Sequence, residues 1–309
     1  MWSLVVVSDI HVGSPRSFRY EPAWNENWKT AREQILEINP DLLLICGDLT
    51  RDGNIHRFEL EAIKADLDTL PFPYYVVPGN MDTGNKHTDV SGPIKGRDDV
   101  RLNIRSEQLK QFSSIFGPLW WSFTYKDIRF SGFCDMIAGS GLPEEKDFWK
   151  WMEEQKYKPR AKYHVWIMHY ALFIHDIHEP NYDIRDPKQY RDWYFGIDKP
   201  YRSMIFKIFK ETSATIVING HIHCRKTRYI DGIRFDSAPS TAFSQCDGLW
   251  IDGDPRLGFL RYDVYNDEIK CTFIPLKRIS KAKGYGPRGH PPPEKRDYSI
   301  AWELNESIH

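Results

Sequence analysis

Cysteine pairing is missing from this sequence. Its five cysteines, at 46, 134, 224, 246 and 271, form no CxxC pair and no regular spacing. That favours free thiols in a reducing compartment over a disulfide framework. A surplus of either charge is missing too. The 309 residues carry 42 Lys and Arg against 43 Asp and Glu, a net charge of −1. Charge alone therefore indicates neither a nucleic-acid nor a membrane partner. Long apolar runs are absent. Leu4-Val5-Val6-Val7 is interrupted by Asp9 and His11, too early for a signal or spanning segment. No internal repeat is found. The expectation is a soluble, cytoplasmic protein with a core of one large or two modest domains.

Short apolar runs are present, and they read as buried strands: Leu4 to Val7, Leu42 to Cys46, Tyr74 to Val77, His164 to Met168 and Thr215 to Ile218. They lack polar alternation, as strands covered on both faces do. Helical patterns separate the first three, with Trp24, Trp28, Ala31, Ile35 and Ile38 on one face and Leu60, Ile63, Leu67 and Leu70 on another. This order predicts parallel strands with right-handed crossovers, an α/β fold. Hairpins are predicted around Lys126-Asp127 and Asp231-Gly232, and a further strand pair at 258–265 and 269–274. Pro143, Glu144 and Glu145 open a further helix. Residues 170–200 read as a polar insertion. The domain is expected over 1–278, with a basic Pro/Gly-rich arm over 279–309.

Each of the five apolar runs is followed by a carboxylate, an amide or an imidazole: Asp9 and His11, Asp48, Asn80, His169, then His221 and His223. In α/β sheets, sites assemble at the strand C-termini. These are oxygen and nitrogen donors without a thiolate, a set for divalent first-row ions rather than a structural zinc. Seven donors are too many for one tetrahedral ion. They suit two ions ~3.5–4 Å apart that share a carboxylate. Each piece alone is common, but the ordered set is specific.

The motifs "SDIHVG", "GDLTRDG", "GNMD", "MHYAL" and "GHIHC" together resemble the calcineurin-like metallophosphoesterases, over about Leu4 to Leu276. "DGIRFDSAPST" adds a weaker likeness to the branch containing cyclic-nucleotide phosphodiesterases. The resemblance implies two packed mixed β-sheets flanked by helices, an αββα sandwich. It implies that Asp9, His11 and His223 hold one metal, that Asn80, His169 and His221 hold a second, and that Asp48 bridges them. Mn²⁺ is the expected ion, with Fe, Zn, Ni or Co as alternatives. The implied reaction is hydrolysis of a phosphodiester by a metal-bridging hydroxide. A phosphomonoesterase, a nucleotide pyrophosphatase, a nuclease and a non-catalytic scaffold on the same fold stay open as alternatives.

Position 81 departs from the pattern. Met81 stands where the family's histidine assists the leaving group, and a thioether cannot donate a proton. Candidates to replace it are His87, His175 and His178. Asp82 is the candidate to orient an imidazole placed at 81, and Arg51 is a candidate phosphate contact. The catalytic set is thus Asp48, Asn80, Arg51 and His87. Trp193, Tyr194 and Phe195 either wall a substrate pocket or bury a partner surface. Trp120 and Trp121 read as core or sheet edge. The cations Lys277, Arg278, Lys281, Lys283, Arg288, Lys295 and Arg296 suit nucleic acid or, preferably, packing on the domain or on a second subunit of a homo-oligomer. The final "YSIAWEL" is apolar enough to dock. The expected partner is a phosphate ester, with a nucleotide-like one included.

Overall fold

The computed structural model describes residues 1–17, 19–93, 100–245 and 252–284. Two sheets form. In chain order the first elements are β1 (Trp2–Val7), α1 (Pro22–Ile38), β2 (Leu42–Cys46), α2 (Arg57–Leu67), β3 (Tyr74–Val77), a single turn α3 (Asn80–Thr83) and α4 (Ser106–Phe116). The second half runs β4 (Trp120–Tyr125), β5 (Ile128–Phe133), α5 (Pro143–Glu154), β6 (Tyr163–Ile167), α6 (Tyr190–Phe195) and α7 (Tyr201–Glu211). It ends with β7 (Ile216–Asn219), β8 (Lys226–Ile230), β9 (Ile233–Ser237), β10 (Gly258–Val264) and β11 (Ile269–Pro275).

One sheet has the order β11-β10-β1-β2-β3, the other β4-β5-β6-β7-β9-β8. Strands β1, β2 and β3 pair in parallel, as do β5, β6, β7 and β9, while β10, β11, β4 and β8 are antiparallel additions. The mixed-sheet sandwich implied by the motifs is the fold observed.

The alternation of each strand decides the layering. Leu4, Val6, Leu42, Leu44 and Val77 face Phe130, Val165, Ile167 and Ile218 between the sheets. Val5, Val7, Leu43 and Ile45 point the other way and pack under Trp28, Ala31, Ile35, Leu60, Ile63 and Leu67 of α1 and α2. Trp166 and Val217 are covered likewise by Phe148, Met152, Ile205 and Phe209 of α5 and α7. Both faces of each central strand are therefore apolar, which is why the sequence shows runs rather than alternation. Each such Val, Leu or Ile contributes roughly 1.5–3 kcal/mol of burial.

Boundaries follow local chemistry. Pro22 starts α1, where its missing N–H costs nothing, and Asn39 in the left-handed conformation (φ 48°) ends it ahead of Pro40. After Leu276 the chain runs back along α1. Lys277 pairs with Glu37, Arg278 with Glu33, and the amide of Ser280 donates to Asn27 Oδ1 at 2.8 Å. Those two cations are thus matched by α1 carboxylates. Arg288, Lys295, Arg296, "YSIAWEL" and Cys246 lie outside the described residues. Among the described residues Cys46, Cys134, Cys224 and Cys271 form no disulfide with one another. Among the described residues no helix is long and apolar enough to cross a membrane.

Candidate metal centre

The polar residues that follow β1, β2, β3, β6 and β7 meet at one edge of the sandwich. Their backbone is unusual. Of nine non-glycine residues with positive φ among the described residues, five are Asp9 (53°), His11 (50°), Asp48 (51°), His221 (65°) and His223 (50°). Each costs on the order of 1–2 kcal/mol relative to the right-handed form. Such strain persists where tertiary contacts impose it, and it concentrates at functional sites. Close approach adds to the constraint. A Cβ at Gly79 would fall 2.1 Å from Asp48 Oδ1, and one at Gly220 would fall 1.8 Å from Ser8 Oγ.

Two groups of side chains result. In the first, Asp9 Oδ1 lies 3.2 Å from His223 Nε2, and Asp48 Oδ2 lies 3.5 Å from His11 Nε2. In the second, His169 Nε2 lies 3.3 Å from Asp48 Oδ1 and 3.0 Å from Asn80 Oδ1, with His221 alongside. Asp9, His11, Asp48 and His223 offer ligand atoms all within 4.8 Å of one another, and so do Asp48, His169 and His221. The two oxygens of Asp48 belong one to each group. All seven residues are buried.

Backbone carbonyls orient the imidazoles. Nδ1–H of His169 donates to Cys46 O at 2.7 Å and Nδ1–H of His223 to Phe243 O at 2.8 Å, which leaves each Nε2 as a lone pair. His221 is reversed: its Nε2–H donates to Tyr194 O at 3.1 Å, which leaves Nδ1. Asn80 Nδ2 donates to Asn85 Oδ1 at 2.9 Å, and this turns Asn80 Oδ1 toward His169. Lone pairs of oxygen and nitrogen thus converge in a buried space. A divalent first-row cation fits that donor set.

The charges agree. Burial works against the carboxylate of Asp9, yet the imidazoles of His223, His169 and His11 hold it well below the usual range. Burial also works against a charged His169, but Asp48, Asp9 and Asp135 push it up to about 10. Burial, followed by the charge of a neighbouring histidine, pushes His11 and His221 down.

The other candidates separate. Arg51 stands beside the cluster. Its guanidinium lies over the Trp24 ring at 5.1 Å, its Nε is buried without a hydrogen-bond partner, and burial pushes it down to about 10. His87 is not brought in. Asn85 donates its backbone N–H to Leu102 O and accepts from the N–H of Ile104, and this pairing carries His87 to the surface, where its ring meets Asp89 and Asn103. His175 and His178 are exposed. Asp82 does not face position 81. Its oxygens accept from the amides of Leu49, Thr50 and Gly79 and from Thr50 Oγ1, so it clips the loop after β2 to the loop after β3. The aromatic trio divides: Trp193 and Phe195 are core, while Tyr194 is half-buried against Asn80 and His221. Tyr194 is one of the aromatics that the sequence offered as a pocket wall, whereas the carbonyls of Cys46 and Phe243 had no signal in the sequence, because a backbone oxygen carries no residue identity.

The family model for the calcineurin-like phosphoesterase domain matches residues 3–225, which include every residue of both groups. The chain belongs to the calcineurin-like phosphoesterase family. This family member is 22% identical over 269 residues to a probable cyclic nucleotide phosphodiesterase of Vesicomyosocius okutanii subsp. Calyptogena okutanii, covering 86% of this chain and 95% of that one. It is 34% identical over 84 residues to a probable glycerophosphodiester phosphodiesterase, GpdQ, of Arcobacter nitrofigilis, a match of 26% of this chain that spans only 29% of the relative. Among solved structures it is similar to a purple acid phosphatase from yellow lupin (Lupinus luteus) seeds. That match has a TM-score of 0.60 and 13% identity over 90% of this chain, and this phosphoesterase spans 52% of the lupin chain.

Proposed function

We propose that this phosphoesterase is a dinuclear metal-dependent hydrolase of phosphodiesters. The observation that carries the reading is Asp48, whose two oxygens face two separate donor groups. Asp9, His11 and His223 would hold one ion, and Asn80, His169 and His221 the other, with Mn²⁺ as the favoured metal and Asp48 between them. Such ions, when bound, activate water and neutralise the charge of the phosphoryl group. The chain's own residues do the rest. The carbonyls of Cys46, Phe243 and Tyr194 hold three imidazoles in the tautomers that ligation needs. Asp82 keeps the two ligand-bearing loops in register. Arg51 binds a phosphoryl oxygen through its unpaired Nε edge.

Diesters are favoured over monoesters for a chemical reason. Met81 presents sulfur rather than an acid, with Sδ 3.6 Å from Asn80 Nδ2 and 4.0 Å from Arg19 Nη2. A monoester builds more negative charge on its leaving oxygen and suffers more from a weak donor. The names of the two relatives point the same way. We also assign residues 1–278 to the catalytic domain and 279–309 to an arm. Free thiols fit a cytoplasmic location.

The test is metal analysis together with a substrate panel. Purified protein loaded with Mn²⁺ is expected to bind two ions per chain and to cleave bis(4-nitrophenyl) phosphate faster than 4-nitrophenyl phosphate. One ion per chain, or the reverse preference, overturns the reading.

A further inference from the structure

A thioether occupies position 81, but a guanidinium stands beside it. Arg19 Nη2 lies 4.0 Å from Met81 Sδ, which itself lies 3.6 Å from Nδ2 of the donor residue Asn80. A second guanidinium, that of Arg51, is close enough for the charge of Arg19 to work against its own. Two like charges are thus held together at the edge of the metal centre.

The surrounding loops fix Arg19. Its Nε and Nη2 both donate to Asp52 Oδ1, the former at 2.6 Å, and its backbone amide donates to Asp52 Oδ2 at 2.8 Å. Nη2 also donates to the Arg51 carbonyl at 3.1 Å. Asp52 is buried, and its amide donates to Glu59 Oε2 at 2.7 Å, while Ser17 Oγ donates to Glu59 Oε1. This leaves the Nη1 edge. Among the described residues no hydrogen bond or ion pair engages it, and the side chain is 19% exposed. Asp52 matches one of the two positive charges. The other is unmatched: the Arg51 guanidinium rests on Trp24 and, among the described residues, makes no hydrogen bond or ion pair. A buried polar group left in that state calls for a ligand.

The chemistry of a guanidinium limits what that ligand can be. Even at Arg51, pushed down to about 10, it stays protonated at neutral pH. It binds an oxyanion but does not hand over a proton. An alkoxide leaving group needs the proton. A phosphate, whose last pKa is about 6, departs as an oxyanion and needs only its charge bound.

Resting on the phosphodiesterase reading above, we infer that the diesters cleaved here have a phosphate as their leaving group, and that Arg19 binds this departing phosphate through Nη1 beside Met81. The substrate class is a diphosphate esterified at both ends, RO–PO₂⁻–O–PO₂⁻–OR′. Water adds to one phosphorus, the bond from that phosphorus to the bridging oxygen breaks, and its electron pair leaves on the bridging oxygen. The products are two phosphate monoesters, RO–PO₃²⁻ and R′O–PO₃²⁻, and two protons pass to solvent. Arg51 keeps its contact with the attacked phosphoryl group.

Three adenosine 5′ compounds that differ in leaving group test this on Mn²⁺-loaded protein: di(adenosine 5′) diphosphate, adenosine 5′-(4-nitrophenyl phosphate) and adenosine 5′-(methyl phosphate). Wild type should cleave the diphosphate at least ~10²-fold faster in kcat/KM than the methyl ester, the lower end of what a missing acid costs. Arg19→Lys keeps the charge and a partner for Asp52 but has no second edge, so metal content and melting temperature are expected to match wild type. Its loss on the diphosphate should exceed its loss on the nitrophenyl ester by ~10–100-fold, the range for one charge-assisted hydrogen bond. A second readout needs no turnover. Adenosine 5′-(α,β-methylene)diphosphate should bind the variant at least ~10-fold more weakly by calorimetry, while inorganic phosphate binds both proteins alike. Should Arg19→Lys fail to fold, the Arg19→Gln, Asp52→Asn double variant, which leaves no buried charge unmatched, should show the same differences. Equal losses on both substrates with unchanged binding of the methylene compound refute the role of Arg19. Wild type that cleaves the nitrophenyl diester, but the diphosphate no faster than the methyl ester, refutes the substrate class and leaves the phosphodiesterase reading standing. Wild type that cleaves only monoesters sinks both.

Discussion

The Nε2 atoms of His11 and His223 face each other at 3.2 Å, although their loops are 212 residues apart in sequence. His223 has given its Nδ1–H to Phe243, so its Nε2 is a lone pair turned toward Asp9, at 3.2 Å. Acceptors crowded in this way are stabilised by a shared cation. Asp48 borders both groups, so Asp48→Ala should cost more than the loss of any single histidine. Bound metal is expected to fall from two ions per chain to fewer than one, and diesterase activity by at least ~10³-fold. Atomic absorption on chelator-dialysed, reloaded protein checks this. Retention of both ions by the variant would refute the shared-carboxylate arrangement.

Arg51 is expected to act on binding. Its Nε is buried and has no hydrogen-bond partner, and its guanidinium rests on Trp24. A charge-assisted hydrogen bond is worth roughly 1.5–3 kcal/mol, so Arg51→Ala should raise KM ~10–100-fold with metal content unchanged. Arg51→Lys should recover only part, because an ammonium cannot make the forked contact. A variant with unchanged KM would show that Arg51 serves the fold alone.

Trp193 and Tyr194 are sequence neighbours with separate roles. Trp193 is buried beneath Lys86, so Trp193→Ala should lose ~3–5 kcal/mol of stability. Whatever remains folded should keep the wild-type order of substrates. Urea unfolding, with rates on three diesters, checks both halves. Altered preferences without loss of stability would place Trp193 in the pocket.

His164 supplies a pH dependence away from the metal centre. It is buried on β6, with Nε2 2.9 Å from Ser131 Oγ and Nδ1 3.2 Å from Thr212 O. Burial first, then the charge of Arg129, pushes its imidazole from the ordinary 6.5 down to about 3. Below pH 6.5 the unfolded chain takes up a proton that the folded chain refuses. Stability from this group is therefore full above pH 6.5 and is lost as pH falls toward 3. Between pH 7 and pH 5 the loss is ~2 kcal/mol, at ~1.4 kcal/mol per unit. Urea unfolding of wild type and His164→Gln at both values should show a slope shallower by that amount in the variant. Equal slopes would mean that His164 is charged in the folded state.

The likeness of the chain to its family was legible because it is local. An apolar run followed by Asp-x-His or Gly-His-x-His needs no partner to be read, and the runs became β1, β2, β3, β6 and β7 within about two residues at each end. The helices carried their own 3.6-residue period, and Asp231-Gly232 marked its hairpin by turn chemistry. The misreadings all concern loops. His87 looked available from its sequence neighbours, but the pairing of Asn85 with the 102–104 segment carries it outward. Asp82 looked free, but two loops compete for its oxygens.

By itself the sequence determined the strand and helix order, the donor types and the thioether at position 81, since these depend on residue identity and short-range periodicity. The tertiary structure alone decided which strands join which sheet and in what order, that five donor residues take left-handed backbone, and that a tyrosine from the insertion reaches Asn80 across 114 positions. The physical reason is range. Packing contacts and backbone strain are set by partners far along the chain, and loops bear no periodicity from which those partners can be inferred.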